Sequence, residues 1–165
     1  MGYEAYKLTA KFQNLSLAEL TEELRANGAV FVERFGGTVT MEMVKEMGVI
    51  ELVLRESGNV NTRFSPGEKV LVTIRFAKIS NVPLVGDIVS LLKKLAARFD
   101  VMYIRDHESG RNIDLNDTAW LMKTFMYAKY DFEFYFPIGK KAARCRDVFC
   151  MCGGELPQAV VDRIN

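Results

Sequence analysis

The sequence predicts an α+β protein in which a mainly antiparallel sheet carries helices on one face. Residues 69–79 alternate apolar and polar side chains with a period of two, as a strand with one buried face does. Residues 49–55 are a second clear strand, and we expect the two to pair antiparallel. Residues 83–99 instead repeat their apolar side chains at helical spacing. With 165 residues, the chain is expected to form a single domain over residues 1–165.

The first third of the chain carries the strongest local signals. Residues 3–12 have strand character. Ser16, followed by Glu19 three positions later, forms the capping box that begins a helix. An Asn-Gly pair at 27–28 ends that helix, because glycine accepts the left-handed backbone conformation found at helix ends. Residues 29–35 are predicted as a second strand.

The remaining elements are predicted from the same kinds of signal. Residues 38–48, after a glycine pair, fit either a strand or a short helix. A helix begins at Asn116 or Asp117 and runs to about residue 129. A strand follows over 130–136, where the aromatic residues return to a period of two. The other predicted elements are a helix at 83–99, a strand at 101–105, its hairpin partner at 111–115 and a last short strand at 148–152.

Strand, helix and strand follow one another twice, near the N-terminus and again over residues 69–105. Two such βαβ-type halves suggest a ferredoxin-like α+β sandwich, in which one layer of helices lies on a mainly antiparallel sheet. No stretch rich in Pro, Gly or Ser divides the halves, so they are expected to share one core.

The balance of charges limits the partners that the sequence suggests. Lys and Arg number 22 and Asp and Glu number 21, so the net charge of +1 provides no general attraction for nucleic acid or an anionic membrane. The first dozen residues carry charges and lack the apolar core of a signal peptide. No apolar run reaches the ~18–20 residues of a membrane span. We therefore expect a soluble cytoplasmic protein without nucleic-acid or membrane partners.

Three cysteines near the C-terminus are the candidates for a metal site. Cys145, Cys150 and Cys152 have a C-x4-C-x-C spacing, which lacks the paired, short-spaced cysteines typical of zinc sites. A fourth ligand would have to be His107, the single histidine, or an acidic residue such as Asp147. Because thiols also pack as small hydrophobic groups, we expect these cysteines to be packing residues and the protein to carry no cofactor.

A polar turn, RDHESGR, is the first candidate for catalysis. It combines two carboxyl groups, a titratable imidazole and two guanidinium groups in Arg105, Asp106, His107, Glu108 and Arg111. The alternative is that polar residues simply collect at an exposed hairpin turn, where glycine supplies the required backbone conformation.

Asp131 and Glu133 are a second candidate, because alternate residues of the predicted strand at 130–136 would share a face. Their Cα atoms would lie about 6.5–7 Å apart, close enough to share a divalent cation or to divide acid and base roles. A solvated polar face of the sheet explains the same pattern.

Motifs that would identify an enzyme are absent from the sequence. It contains no GxSxG, GxxxxGK[ST] or GxGxxG segment, and a single histidine excludes an HExxH metal site. The leading hypothesis is therefore a non-catalytic protein-binding module, such as an inhibitor, an immunity-type protein or a regulatory subunit. Its partner would be another protein or a second copy of the chain.

Arg63 and Phe64 are the predicted contact residues of such a module, since they lie in a long loop before the strand at 69–79. Phe64 would instead be a core residue if the loop folds inward over the edge of the sheet. The alternative function is a small enzyme or ligand-binding domain that uses the polar turn around His107.

Overall fold

Nine elements form the fold in a computed structural model of the protein, which describes residues 5–57, 68–78 and 80–135, without the side chains of residues 133 and 135. In chain order they are β1 (Ala5–Gln13), α1 (Leu17–Ala26), β2 (Val30–Phe35), β3 (Thr38–Lys45), β4 (Gly48–Glu56), β5 (Lys69–Ala77), α2 (Pro83–Arg98), β6 (Asp100–Asp106) and α3 (Ala119–Tyr135).

The six strands form one antiparallel sheet in the order β2-β3-β4-β5-β1-β6. Because β1 lies between β5 and β6, it splits the strand-helix-strand unit β5-α2-β6. The order β6-β1-β5-β4 is the ferredoxin-like arrangement, and the β2–β3 hairpin widens it at one edge. The predicted α+β class and the antiparallel pairing of β4 with β5 are confirmed.

One face of the sheet carries the hydrophobic core, and the three helices pack on it. Alternate residues of β1 are fully buried on this face, opposite apolar residues of β5. The buried residues of the helices belong to the same cluster: Leu17, Leu20 and Leu24 from α1, Leu84, Val85, Ile88, Val89, Leu91, Leu92 and Leu95 from α2, and Leu121 and Phe125 from α3. The predicted placement of the helices on one face is confirmed.

An aromatic cluster joins α3 to two central strands. Tyr6 on β1, Phe76 on β5 and Phe125 on α3 are fully buried, and their ring centroids lie between 5.2 and 5.4 Å apart. Each such contact contributes about 0.5–1.5 kcal/mol beyond the area that the rings bury. These three rings therefore fix α3 on the sheet.

The first helix begins and ends as the sequence predicts. The Ser16 hydroxyl accepts a hydrogen bond from the Glu19 backbone N–H at 3.2 Å, and the Glu19 carboxylate accepts one from the Ser16 N–H at 2.9 Å. Asn27 is the C-cap, and Gly28 follows with a φ of +94°, a conformation that glycine adopts without strain. Both ends of α1 are thus determined by local chemistry.

The structure corrects the prediction after residue 129. Residues 130–135 continue helix α3, so the predicted strand at 130–136 is wrong. Leu121, Phe125 and Phe132 are buried, at spacings of four and seven residues, which is the period of one helix face. The aromatic residues of this stretch also alternate in sequence, but their burial follows the helical period.

Three other predictions concern residues 38–48, 111–115 and 148–152. Residues 38–48, which fitted a strand or a helix, contain strand β3. The predicted hairpin partner at 111–115 is reduced to a single bridge between Arg105 and Asn112. The predicted strand at 148–152 lies outside the described residues.

We expect Phe125→Ala to lower the free energy of unfolding by about 3–5 kcal/mol, because it removes a fully buried ring and leaves a cavity. Tyr127→Ala is the matched control, since Tyr127 is exposed on the same helix and its loss should change stability by no more than ~0.5 kcal/mol. Urea unfolding measures both values. Equal losses for the two variants would contradict the position of α3 on the core.

Candidate functional site

The face of the sheet opposite the core, which we call the open face, is lined by alternate residues of each strand. None of the described helices contributes its buried side chains to this face. The register of the strands places the following residues on it: Val30, Glu33 and Phe35 of β2; Thr38, Thr40 and Glu42 of β3; Glu51, Val53 and Arg55 of β4; Leu71, Thr73 and Arg75 of β5; Lys7, Thr9 and Lys11 of β1; and Tyr103 and Arg105 of β6.

Strand register arranges four charged residues of the open face in one line across the strands. Each is the direct partner of the next, in the order Glu42, Glu51, Arg75 and Lys7. Directly opposed residues of an antiparallel pair have Cβ atoms about 4.5–5.5 Å apart, so their side chains interact. We call this line the charged row.

A second line of residues, one step along the strands, carries no charge over four strands. It consists of Thr40, Val53, Thr73 and Thr9, and we call it the neutral row. Arg105 continues it on β6, as the partner of Thr9. The middle of the open face is therefore uncharged, whereas charges lie around it.

Glu42 has the most unusual environment in the charged row. The residue is only 6% exposed, and its Oε2 atom is buried without a hydrogen-bond partner. Burial, and then the negative charge of Glu51 directly opposite, raises the pKa of Glu42 from 4.5 to about 7. A carboxyl group in this environment can hold a proton near neutral pH or bind a cation placed beside it.

Glu51 differs from Glu42 because a cation lies beside it. Nη1 of Arg75 lies 2.9 Å from Oε2 of Glu51, in an ion pair that lacks the alignment of a hydrogen bond. Burial raises the pKa of Glu51, and the positive charge of Arg75 opposes that shift. The Nε atom of Arg75 is also buried without a partner. Both members of this pair therefore retain unused hydrogen-bonding capacity.

Charge on the open face is divided between its two sides. Glu33, Glu42 and Glu51 lie on β2, β3 and β4, and we call them the acidic group. The strands β5, β1 and β6 carry what we call the basic group: Arg75, Lys7, Lys11 and Arg105. Only Arg75 of this group forms an ion pair with a described carboxylate. The net charge of +1 conceals this separation, to which Arg55 on β4 is an exception.

Aromatic side chains lie at the two outer edges of the open face. Phe35, at the end of edge strand β2, is 83% exposed. Val30 and Phe31 of the same strand are exposed as well. Tyr103 lies on the opposite edge strand, β6, next to Lys11 of β1. Grouped apolar side chains on an exposed edge strand are typical of interaction sites.

The predicted catalytic turn has mainly structural contacts. Asp106 is fully buried, and its carboxylate accepts hydrogen bonds from the backbone N–H groups of Glu108 and Ser109 at 3.2 and 3.1 Å. Glu108 forms an ion pair with Lys78. Nε2 of His107 lies 2.6 Å from Oγ1 of Thr9, which brings the imidazole to the margin of the open face.

Within the described residues, no hydrogen bond or ion pair joins the other side chains of this turn to His107. Arg105 and Arg111 are exposed, and neither forms an ion pair with a carboxylate in the part of the chain that the structure describes. Burial, and then the charge of Asp106, raises the pKa of Tyr6 above its usual range, so this phenol remains neutral. The contacts of Asp106 and Glu108 stabilise the turn, and a catalytic role of its residues stays a prediction.

The second predicted pair is not brought together either. Asp131 and Glu133 are two positions apart on α3, and helix positions at that spacing do not share a face. The shared sheet face predicted for them is wrong. The remaining predicted site residues lie outside the described residues: Arg63, Phe64, Cys145, Asp147, Cys150 and Cys152.

A shallow groove lies between α1 and the C-terminal end of α2. Its polar lining consists of Glu19, Glu22, Glu23 and Arg98. Arg98 already forms an ion pair with Glu23, and its guanidinium carbon lies 5.5 Å from the centre of the Phe99 ring. The groove therefore lacks the set of converging, available polar groups that a ligand site requires.

Comparisons with known proteins give no assignment. No protein-family model, curated protein or solved structure matches the chain. Within residues 5–57, 68–78 and 80–135, no group of three or more His, Cys, Asp or Glu side chains is placed to hold a metal ion. No helix in these ranges is long and apolar enough to cross a membrane. A functional proposal must therefore come from the open face itself.

Sequence reasoning did not identify Glu42, Glu51 and Arg75 as candidate residues. A signal for Glu42 exists in the alternation of polar and apolar residues over 38–43, which is typical of a strand. The line that joins the three residues has no such local signal, because it depends on the pairing of separate strands.

The burial of Glu42 predicts a specific pH dependence of stability. Because folding raises its pKa from 4.5 to about 7, the folded chain binds more protons than the unfolded chain between these two values. The contribution of Glu42 to the free energy of unfolding therefore falls as the pH rises through this window. Gln cannot ionise, so Glu42→Gln should gain about 2–3 kcal/mol relative to wild type from pH ~4.5 to ~7.5.

Urea unfolding of dilute protein measures this difference through the fluorescence of Trp120, the single tryptophan. Glu46→Gln is the matched control, because Glu46 is exposed in the turn between β3 and β4 and should follow the wild-type pH profile. A stability difference between Glu42→Gln and wild type that stays constant with pH would contradict the neutral, buried state of Glu42.

Proposed function

We propose that the protein is a non-catalytic protein-binding module and that the open face is its binding surface. The placement of the three described helices supports this most directly, because all of them pack on the other face of the sheet. In the described part of the chain, the six strands present a broad surface in which charges and exposed aromatic residues have an ordered arrangement. A broad, patterned surface suits a macromolecular partner.

The composition of the open face resembles that of a protein interface. Val53, Leu71 and Thr73 are half-buried side chains near its middle, and the neutral row crosses the same region. Charged residues flank the neutral row, and the two aromatic residues lie at the outer edges of the face. Interfaces commonly combine a core depleted of charge with a polar rim, and aromatic residues and Arg are enriched in them.

An enzyme or a small-ligand domain has less support. Small-ligand sites are concave and gather a few polar groups around the ligand, whereas the open face is one side of an extended sheet. The alternative function depends on the turn around His107, where the contacts of Asp106 and Glu108 stabilise the turn itself. The cytoplasmic location, and the choice between an inhibitor, an immunity-type protein and a regulatory subunit, stay predictions.

Affinity capture with matched variants tests the proposal. Tagged full-length protein is incubated with a soluble extract of its source organism, and the retained proteins are quantified by mass spectrometry. Val53→Arg places a charge in the middle of the open face and should reduce the specifically retained proteins about tenfold or more. Lys93→Glu changes an exposed residue of α2 and is the control, which should retain them at the wild-type level.

Circular dichroism and thermal midpoints confirm that both variants are folded. Retention of the same proteins at the same level by wild type and Val53→Arg would contradict the proposal. So would a wild type that retains no protein above the level of uncoated beads and does not associate with itself.

A further inference from the structure

We propose that the open face binds a second copy of this chain, with the two sheets packed face to face about a two-fold axis. The axis would lie between the two sheets, close to the strand direction and midway between β4 and β5. This inference rests on the proposed function and specifies the partner. It is carried by the complementarity of the open face to itself, which follows from the observed strand order and register.

The strand order gives the sheet a natural two-fold centre. Three strands lie on each side of the line between β4 and β5, in the order β2-β3-β4 and β5-β1-β6. Rotation about an axis along this line places β4 over β5 of the second copy, β3 over β1, and β2 over β6. Positions along the strands are kept at the axis and change only modestly away from it, so each row meets the same row of the second copy. The interface is isologous, as a closed dimer requires.

This superposition pairs the acidic group with the basic group. Glu51 lies over Arg75 of the second copy, and Glu42 lies over Lys7. One row further along, Glu33 lies over Arg105, because these residues continue the neutral row at its two ends. Each of the three carboxylates therefore meets a cation, and the two-fold axis repeats every contact.

The uncharged positions also match. In the neutral row, Val53 lies over Thr73 of the second copy and Thr40 lies over Thr9. At the outer edge, the exposed Phe35 lies over Tyr103, since β2 covers β6. Aromatic contacts of this kind contribute about 0.5–1.5 kcal/mol beyond the area buried. The neutral row thus adds no charge to the interface, and its edges gain an aromatic contact, whereas Arg55 of β4 lies over Leu71 of the second copy.

The geometry of packed sheets permits these contacts. Facing sheets lie about 10 Å apart, and their strands are rotated by roughly 30°. β3 and β1 lie about 7 Å from the axis, because neighbouring strands are about 4.8 Å apart. The rotation displaces facing residues at that distance by about 4 Å. Flexible Glu, Lys and Arg side chains span such a displacement.

The surface available is large enough for a specific dimer. The strands contain between 6 and 9 residues, and six of them lie side by side. At the usual rise and spacing, the face covers about 25 by 25 Å, or roughly 1,200 Å² counted on both copies. This area lies at the lower end of the range for stable interfaces.

Pairing would also bring a cation into the surroundings of Glu42. Oε2 of Glu42 is buried without a hydrogen-bond partner in the single chain, and Lys7 of the second copy would lie over this residue. Within one chain the charged groups that face Glu42 are Glu51 directly opposite, Glu33 along β2 and Arg75 beyond Glu51. Two of these three are negative, so an added cation favours the ionised carboxylate.

Charge reversal on the two facing positions tests the dimer. Lys7→Glu opposes Glu42 with a second carboxylate, and Glu42→Lys opposes Lys7 with a second ammonium. Each variant should fold, since Glu at position 7 is next to Arg75 and Lys at position 42 is next to Glu51. Each should weaken self-association about tenfold or more, measured by analytical ultracentrifugation over a range of concentrations.

A mixture of the two variants is the decisive test of the proposed contact. In a mixed dimer, one contact is the native Glu42–Lys7 pair and the other is the reversed pair, so both are complementary. An equimolar mixture should therefore recover association close to that of the wild type. Lys93→Glu, on the exposed side of α2, is the control and should dimerise as the wild type does.

Wild-type protein that stays monomeric at about 100 μM, a concentration at which even weak interfaces associate, would overturn the inference. Two single variants that dimerise like the wild type, or a mixture that does not associate, would also overturn it. If the wild type is monomeric while Val53→Arg still loses proteins retained from the extract, the second copy is the wrong partner and the proposed function stands.

Discussion

The antiparallel register between β1 and β5 is the constraint on which the rest of the structure depends. It places Tyr6 opposite Phe76 in the core and, one residue along, Lys7 opposite Arg75 on the open face. A shift of one residue would exchange the two faces, because successive side chains of a strand point in opposite directions. Burial of the aromatic cluster therefore also determines which charges lie together on the open face.

The two faces use this register for different purposes. On the core face, opposed residues are apolar and are covered by helices, so their alignment contributes stability. On the open face, the register between β3 and β4 places Glu42 opposite Glu51, and like charges directly opposite each other are destabilising. An arrangement that costs stability in a single chain is understandable if a partner supplies the missing cation. This is why Glu42 and its row, rather than the turn around His107, are the centre of the functional account.

Much of the fold could be predicted from the sequence, and the reasons are local. Ser16 and Glu19 define the start of α1 through a capping box, and the period-two pattern over 69–79 identifies β5. Local signals fail at α3, where aromatic residues fit a period of two as well as a helix, and burial of Phe132 with Phe125 decides for the helix. The candidate site could not be predicted because its residues meet only through register between strands that are distant in sequence. Net charge was misleading as well, because it does not record on which strands of the sheet the charges lie.

Zero-length cross-linking of a mixture of unlabelled and ¹⁵N-labelled chains distinguishes contacts between two copies from contacts within one chain. Within one chain, Glu42 and Lys7 lie three strand spacings apart, about 14 Å, which is too far for a carbodiimide to join the carboxylate to the amine. A face-to-face dimer predicts cross-linked peptides that join Glu42 of one isotopic form to Lys7 of the other. The absence of such peptides from cross-linked dimers, with mixed-isotope links confined to residues outside the open face, would contradict it.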